Sequence, residues 1–203
     1  MAHVLTRREK QEQTRERLLE AAARVFARRG YAQASVDEIA AEAGFTTGAV
    51  YSNFSGKEEL FLALADKKVE DRVADIRAVG EAGERAGVEA ANQFRELLER
   101  DPDWPLLFYE FWSFGVRNAE IREEFAKRRD AVVEALAETL ERIAGPLGFQ
   151  LRFPAPVLAR AISAALSGLA FERAADPDVV PDDVFEEFIS AILACSVAVP
   201  DGA

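Results

Sequence analysis

The sequence predicts an all-α protein of about nine helices, with an N-terminal three-helix domain built on a helix-turn-helix and a C-terminal helical bundle. Three observations predict it. Apolar residues recur at helical spacing along nearly the whole chain, Gly and Pro punctuate those patterns, and no strand alternation, hairpin dipeptide, internal repeat or low-complexity segment competes.

The elements follow in order. Leu18, Leu19, Ala22, Val25 and Phe26 form the apolar stripe of a first helix that stops at Gly30. Ser35 to Glu38 has the form of a capping box: the Ser oxygen accepts from an orphan backbone N–H while the Glu reaches back. Val36, Ile39, Ala40 and Ala43 carry the short second helix, ended by Gly44. Thr46 caps a third, from about 47 to 53, with Val50 and Phe54 turned inward. Ser55 to Glu58 repeats the capping pattern and opens a fourth helix through Leu60, Leu64 and Val73. Further patterns cover roughly 86–100, 104–117, 120–144, 155–174 and 182–197. Pro102 and Pro105, Asn118, Gly145-Pro146 with Gly148, Pro154 with Pro156, and Pro177 with Pro181 separate them.

Composition excludes several function classes. With 203 residues, 49% hydrophobic and 30% charged, the chain is long and apolar enough for a core that needs no disulfide or metal. The single Cys, Cys195, has no cationic sequence neighbour to activate it and reads as a small buried apolar residue. The single His, His3, leaves no His-based metal site or catalytic triad. The paired carboxylates Asp182/Asp183 and Glu186/Glu187 read as a solvated helix start, so no catalytic residue, metal or cofactor is expected. No run of about 18 apolar residues and no N-terminal apolar segment is visible, which predicts a cytoplasmic protein.

The formal net charge of −11 argues against a nucleic-acid partner if read over the whole chain. Its placement reverses that reading. Residues 1–57 hold nine Lys and Arg against seven Asp and Glu, net +2; the remainder holds 25 − 9 = 16 against 36 − 7 = 29, net −13.

The positive head coincides with the helix-turn-helix. Ala40 is small where two helices cross steeply, and Gly44 suits a left-handed turn. Ile39, Ala43, Phe45 and Val50 fill the wedge. Thr47, Gly48, Tyr51, Ser52 and Asn53 are left on the outer side of the third helix, without the Lys/Glu pairs of a merely solvated surface. Lys57 stands in the first turn of the fourth helix, where the macrodipole disfavours a cation unless a phosphate is bound beside it.

Phe26–Tyr31, Ser35–Ala40, Ala43–Phe45 and Gly48–Leu60 closely resemble the DNA-binding domain of the tetracycline-repressor (TetR/AcrR) family over about residues 14–62. The resemblance implies a homodimer on double-stranded DNA, with a DNA-binding domain at 1–57 and a ligand-binding and dimerisation domain at 58–203. It places Thr47, Gly48, Ala49 and Asn53 nearest the bases and Tyr51 against a phosphate or thymine methyl, with Ser35, Thr46 and Lys57 on the DNA backbone. Gly48, and Asn53 where His is frequent, depart from common choices and leave the operator sequence unread.

In the body, residues 104–116 hold Trp104, Phe108, Tyr109, Phe111, Trp112 and Phe114, too dense an aromatic set for one core stripe. They read either as an aromatic core helix or as the wall of an apolar effector pocket, with Tyr109, Glu110, Ser113 or Arg117 as its polar groups; the resemblance implies the pocket. Ala159, Ile162, Ser163 and Leu166, with Phe188 and Ile192 of the last helix beside Phe185, Ile189 and Leu193, read as a two-fold four-helix interface.

The function expected is a one-component repressor, a homodimer on a pseudo-palindromic operator released by a small, mainly hydrophobic ligand. The alternatives are a transcriptional activator of the same fold, an all-α small-molecule sensor or carrier whose head no longer binds DNA, and, least supported by the residues, an enzyme.

Overall fold

The computed structural model describes residues 6–146, 150–181, 183–184, 187–188, 190–192 and 197–198. Among them the chain is almost entirely helical. The helices are α1 (Arg7–Gln33), α2 (Val36–Ala43), α3 (Thr47–Tyr51), α4 (Lys57–Val79), α5 (Ala86–Arg100), α6 (Trp104–Gly115), α7 (Ala119–Ala144) and α8 (Ala155–Ala175). Residues 183–184, 187–188 and 190–192 are helical as well. Two dipeptides, β1 (Gln150–Leu151) and β2 (Val197–Ala198), pair antiparallel; two residues are too few to show alternation in a sequence. Gly148, Asp182, Phe185, Glu186, Ile189, Leu193 and Cys195, with His3, lie outside the described residues.

The helix starts refine the capping expectations. Ser35 caps α2 as expected, accepting from the Glu38 N–H at 3.2 Å. The Glu38 carboxylate, however, turns to Arg29 at 3.1 Å. At α4 the carboxylate that accepts the Ser55 N–H is Glu59, at 2.7 Å, one residue beyond the expected Glu58. A full capping box does form at Thr6 and Glu9, where the T-x-x-E spacing is present in the sequence.

The chain divides into two compact units, and the division does not follow the expected boundary at residue 57. The first unit comprises residues 1–68 together with 107–118; the second comprises 69–106 and 119–203. Two helices, α4 and α6, therefore contribute to both units along their length.

In the first unit, α1 buries Leu18, Ala21, Ala22, Val25 and Phe26. Its regular path ends at Gly30, whose φ of 71° and ψ of 170° kink the helix before Tyr31. The core beside the kink is aromatic. Phe61 of α4 and Phe111 of α6 stack with centroids 3.9 Å apart, and Tyr31 meets Phe111 edge-on at 4.5 Å. Phe26 and Phe61 pack edge-on at 5.7 Å. The second unit is built on Phe94 and Leu98 of α5, Val133 and Leu140 of α7, and Leu158, Ala159, Ile162, Leu166 and Ala170 of α8.

Candidate nucleic-acid interface and ligand cavity

The helix-turn-helix is closed by backbone geometry that the sequence prescribes. Gly44 adopts the left-handed conformation (φ 72°, ψ 31°), which costs an L-residue about 1–2 kcal/mol. The turn lets the Phe45 N–H return to the Ala40 carbonyl at 2.9 Å. Ile39, Ala40, Ala43 and Val50 are buried between the helices. The Phe45 ring lies 4.8 Å beneath the Arg17 guanidinium, which donates to the Ala43 carbonyl at 3.1 Å.

The turn holds α3 with one face outward. Thr46 caps it, its hydroxyl oxygen accepting from the Ala49 N–H at 3.2 Å. Thr47 donates its hydroxyl to Asp37 Oδ1 at 2.7 Å, which fixes its rotamer. Tyr51 is 58% exposed. A Cβ built on the exposed Gly48 would meet nothing nearer than Thr46 Oγ1 at 3.7 Å, so the fold does not require glycine there. Thr47, Gly48, Ala49 and Tyr51 are thus gathered on one short helix. Asn53 follows the end of that helix, half-buried, with one amide hydrogen donated to the Ala49 carbonyl at 2.8 Å. Ser52 donates to the Gly48 carbonyl at 2.8 Å.

Lys57, expected as a phosphate anchor, has internal partners that its place in the sequence does not show. Its ammonium donates to the carbonyls of Tyr31 (2.8 Å), Ala32 (3.2 Å) and Ala34 (3.0 Å), and lies 4.5 Å from the centroid of the Tyr31 ring. All three of its protons are committed. The cation absent from the usual first-turn logic of α4 serves the carbonyl end of α1. Opposite it, the Glu110 carboxylate accepts the Tyr31 and Ala32 N–H groups at 2.9 and 2.7 Å. The segment after the Gly30 kink is therefore clamped by a carboxylate accepting on its N–H side and an ammonium donating on its carbonyl side.

Other head charges pair internally. Arg24 and Arg28 share Glu42 at 2.9 and 2.8 Å, and these bonds hold its carboxyl below the ordinary range. Arg15 donates to the Asn53 carbonyl at 2.7 Å and covers the Phe54 ring. Arg7 and Lys10, at the start of α1, are exposed and make no ion pair among the described residues; the motif assigns them no role, and only their charge marks them in the sequence.

Of the two readings of the aromatic helix, core and pocket wall, Phe111 and Glu110 follow the first. Phe111 is fully buried in the first unit's core, Glu110 belongs to the clamp, and Phe114 is 54% exposed. A cavity of about 70 Å³ lies within the second unit. Arg72, Ile76 and Val79 of α4, Ala86, Ala90 and Gln93 of α5, Leu136, Thr139, Leu140 and Ile143 of α7, Ile162 and Leu166 of α8, and Phe188 and Ile192 line it. None of Trp104, Phe108, Tyr109, Phe111, Trp112 and Arg117 does. Aromatic density identified a buried helix and not what buries it.

The expected dimer face is corrected at Ala159, Ile162 and Leu166. Ala159, Ile162 and Leu166 are buried in the second unit's own core, and Phe188 and Ile192 pack against that core and line the cavity. Ser163 is half-buried. The outward stripe of α8 is Val157, Ala161, Ala164, Gly168 and Phe171, with Val157 56% exposed. By length and composition α8 is apolar enough to cross a membrane, contrary to the expectation of no such run; a third of its apolar window is buried inside the protein.

Comparison with known proteins covers both halves of the chain. Residues 18–64 match the description "Bacterial regulatory proteins, tetR family", and residues 85–196 match "BetI-type transcriptional repressor, C-terminal". The chain is 29% identical to the transcriptional activator FasR of Mycolicibacterium smegmatis, over 82% of this chain and 77% of that protein. It is 30% identical to the transcriptional repressor AcnR of Corynebacterium efficiens, over 76% of this chain and 79% of the relative. Among solved structures, the complex of triclosan with SmeT, repressor of a Stenotrophomonas maltophilia efflux pump, superposes with a TM-score of 0.72 at 22% identity, covering 94% of this chain and 95% of that one.

Proposed function

The chain belongs to the tetR family of bacterial regulatory proteins and is a transcriptional regulator; on that premise we propose that it is a cytoplasmic repressor whose homodimer occupies a pseudo-palindromic operator and leaves it when a small, mainly apolar ligand enters each protomer. The observation that carries the reading is the outward face of α3. It presents short polar groups, an exposed phenol and a glycine that the fold does not need, a surface able to lie deep in a major groove. Thr47, Gly48 and Ala49 are assigned to the base edges, with Asn53 through its remaining amide groups. Tyr51 meets a phosphate or a thymine methyl. Thr46, whose oxygen accepts a backbone N–H group, keeps a hydroxyl proton for a phosphate, and Ser35 offers the hydroxyl that it otherwise donates to Glu38 Oε2 at 3.5 Å. Arg7 and Lys10 replace Lys57 as backbone cations.

The second copy is assigned to the outward stripe of α8, where Ala161, Ala164 and Gly168 admit a close helix and Val157 and Phe171 supply apolar area. The cavity of the second unit is assigned to the effector. Because α4 carries residues of both units, a change at Arg72 to Val79 reaches Lys57 along one continuous helix. The ligand acts only through a difference in affinity for the DNA-fitting and DNA-releasing states. The likeness to FasR, an activator, keeps activation as the second reading; the geometry of binding is the same for either sign.

Anisotropy titrations against duplexes flanking the protein's own gene, at several salt concentrations, test the proposal. A specific site is expected to bind two protomers, at least a thousandfold tighter than random duplex. The net −13 of residues 58–203 keeps non-specific affinity low. Equal affinity for operator and random duplex at physiological salt would sink the reading.

A further inference from the structure

The cavity of the second unit has a polar requirement that its apolar lining hides. Thr139 is already engaged: its hydroxyl donates to the Ile76 carbonyl at 3.2 Å and accepts from Arg142 at 3.2 Å. Two other polar residues of the lining have bonding capacity left for a ligand. Gln93 Oε1 is buried and accepts no hydrogen bond. Its orientation is set from the other end of the amide, because Gln93 Nε2 donates to Glu89 Oε1 at 3.0 Å; a flipped amide would set carbonyl against carboxylate.

Arg72 is the second. Among the described residues no carboxylate lies within ion-pair distance of it; its guanidinium packs 5.2 Å from the Phe94 ring centroid. Asp75, the acid that acts on it, is engaged by Arg100 at 4.0 Å. Burial pushes the guanidinium's pKa down, yet arginine stays protonated in proteins. A charge placed among Ile76, Leu140 and Phe188, whose nearest acid is shared with Arg100 and beyond ion-pair distance, is costly unless something brings a closer one.

We infer that this cavity binds an amphipathic organic acid: its carboxylate pairs with Arg72, a neighbouring hydroxyl or N–H donates to Gln93 Oε1, and its apolar body fills the space between α4, α5, α7 and α8. The inference rests on the cavity being the effector site and narrows the effector from any apolar molecule to an anionic one. A neutral molecule leaves Arg72 uncompensated, and a cation is repelled by it.

Chain-matched probes test this on the full-length protein by calorimetry: 3-hydroxyoctanoate, octanoate, 1-octanol and octylamine. Octanoate is expected to bind on the order of tenfold or more tighter than octanol, as a charge-assisted pair requires, and octylamine more weakly than either. The hydroxy acid exceeds octanoate. Arg72→Met abolishes the preference for acid over alcohol while the protein stays folded, since the change removes a half-buried charge; Arg72→Lys retains part of it. Gln93→Leu removes the advantage of the hydroxy acid. Equal binding of octanoate and octanol to the native protein, or an acid preference that survives Arg72→Met, overturns the inference. Parallel titrations with operator bound separate it from the effector reading. Acid that binds without releasing DNA supports the site and sinks the effector role, whereas release by octanol and not by octanoate sinks the acid site alone.

Discussion

The two units treat their polar groups in opposite ways. In the first, Lys57 spends three protons on three carbonyls, Glu110 takes two N–H groups, Thr47 is tied to Asp37, and Arg24 and Arg28 share Glu42. In the second, the cavity carries an acceptor with no donor and a guanidinium with no ion pair among the described residues. The difference suits the roles proposed for the two units. A surface that reads base edges must hold its side chains within a fraction of an ångström, which satisfied networks provide. A unit that senses a molecule gains by leaving bonds for that molecule to complete.

Substitutions can break this contrast, beginning with the core. Phe111→Ala empties the fully buried stack on Phe61 and is expected to destabilise the protein by about 3–5 kcal/mol in urea unfolding. A near-neutral result would remove α6 from the first unit's core. Arg72→Met, in the other unit, is expected to leave the urea midpoint unchanged or raised.

Gly30→Ala comes next. Gly30 sits at φ 71°, and a Cβ there would lie 2.6 Å from Glu110 Oε2, displacing the carboxylate from Tyr31 and Ala32. The expected cost is about 2–4 kcal/mol, a fall in Tm of roughly 4–16 °C at this chain length. Lys57→Met leaves the α1 carbonyls without their donor and is expected to cost about 1–3 kcal/mol. With the ammonium turned inward, the salt dependence of DNA binding by the folded variant should keep its native slope. A slope reduced by about one would restore Lys57 to the phosphate backbone.

The head's ion pairs contribute least. The Ser55 N–H and hydroxyl, then Arg15, hold the Glu59 carboxyl below its ordinary range. A lowered folded pKa adds stability that is present above the unfolded value of about 4.3 and is lost as pH falls through the folded value. Glu59→Gln should therefore cost well under about 1 kcal/mol at pH 7, because the pair is exposed, and the two proteins' urea midpoints should converge near pH 3. A gap that persisted at acid pH would assign the effect to something other than charge.

Local signals made the helix-turn-helix legible. Ser35, Thr46 and Gly44 act within four residues of their own position, and the structure places each as its chemistry dictates. Long-range partners were not legible. The carbonyls that take Lys57 lie 23 to 26 residues earlier in the chain, and nothing in the spacing connects them. On α8 two apolar stripes, one through Leu158, Ile162 and Leu166 and one through Val157, Ala161 and Ala164, have equal helical periodicity; only α7 decides which faces inward. Arg72 and Gln93 gave no signal, since an Arg or Gln on a helix is ordinary until its surroundings are apolar.

The most direct test of α3 as the reading surface is the operator affinity of Gly48→Ala, measured by anisotropy beside its urea stability. Open space around Gly48 predicts a midpoint within about 0.5 kcal/mol of the native protein and a loss of operator affinity of about tenfold or more. Unchanged affinity at unchanged stability would contradict the account, because a methyl group would then be tolerated where a base edge is said to lie.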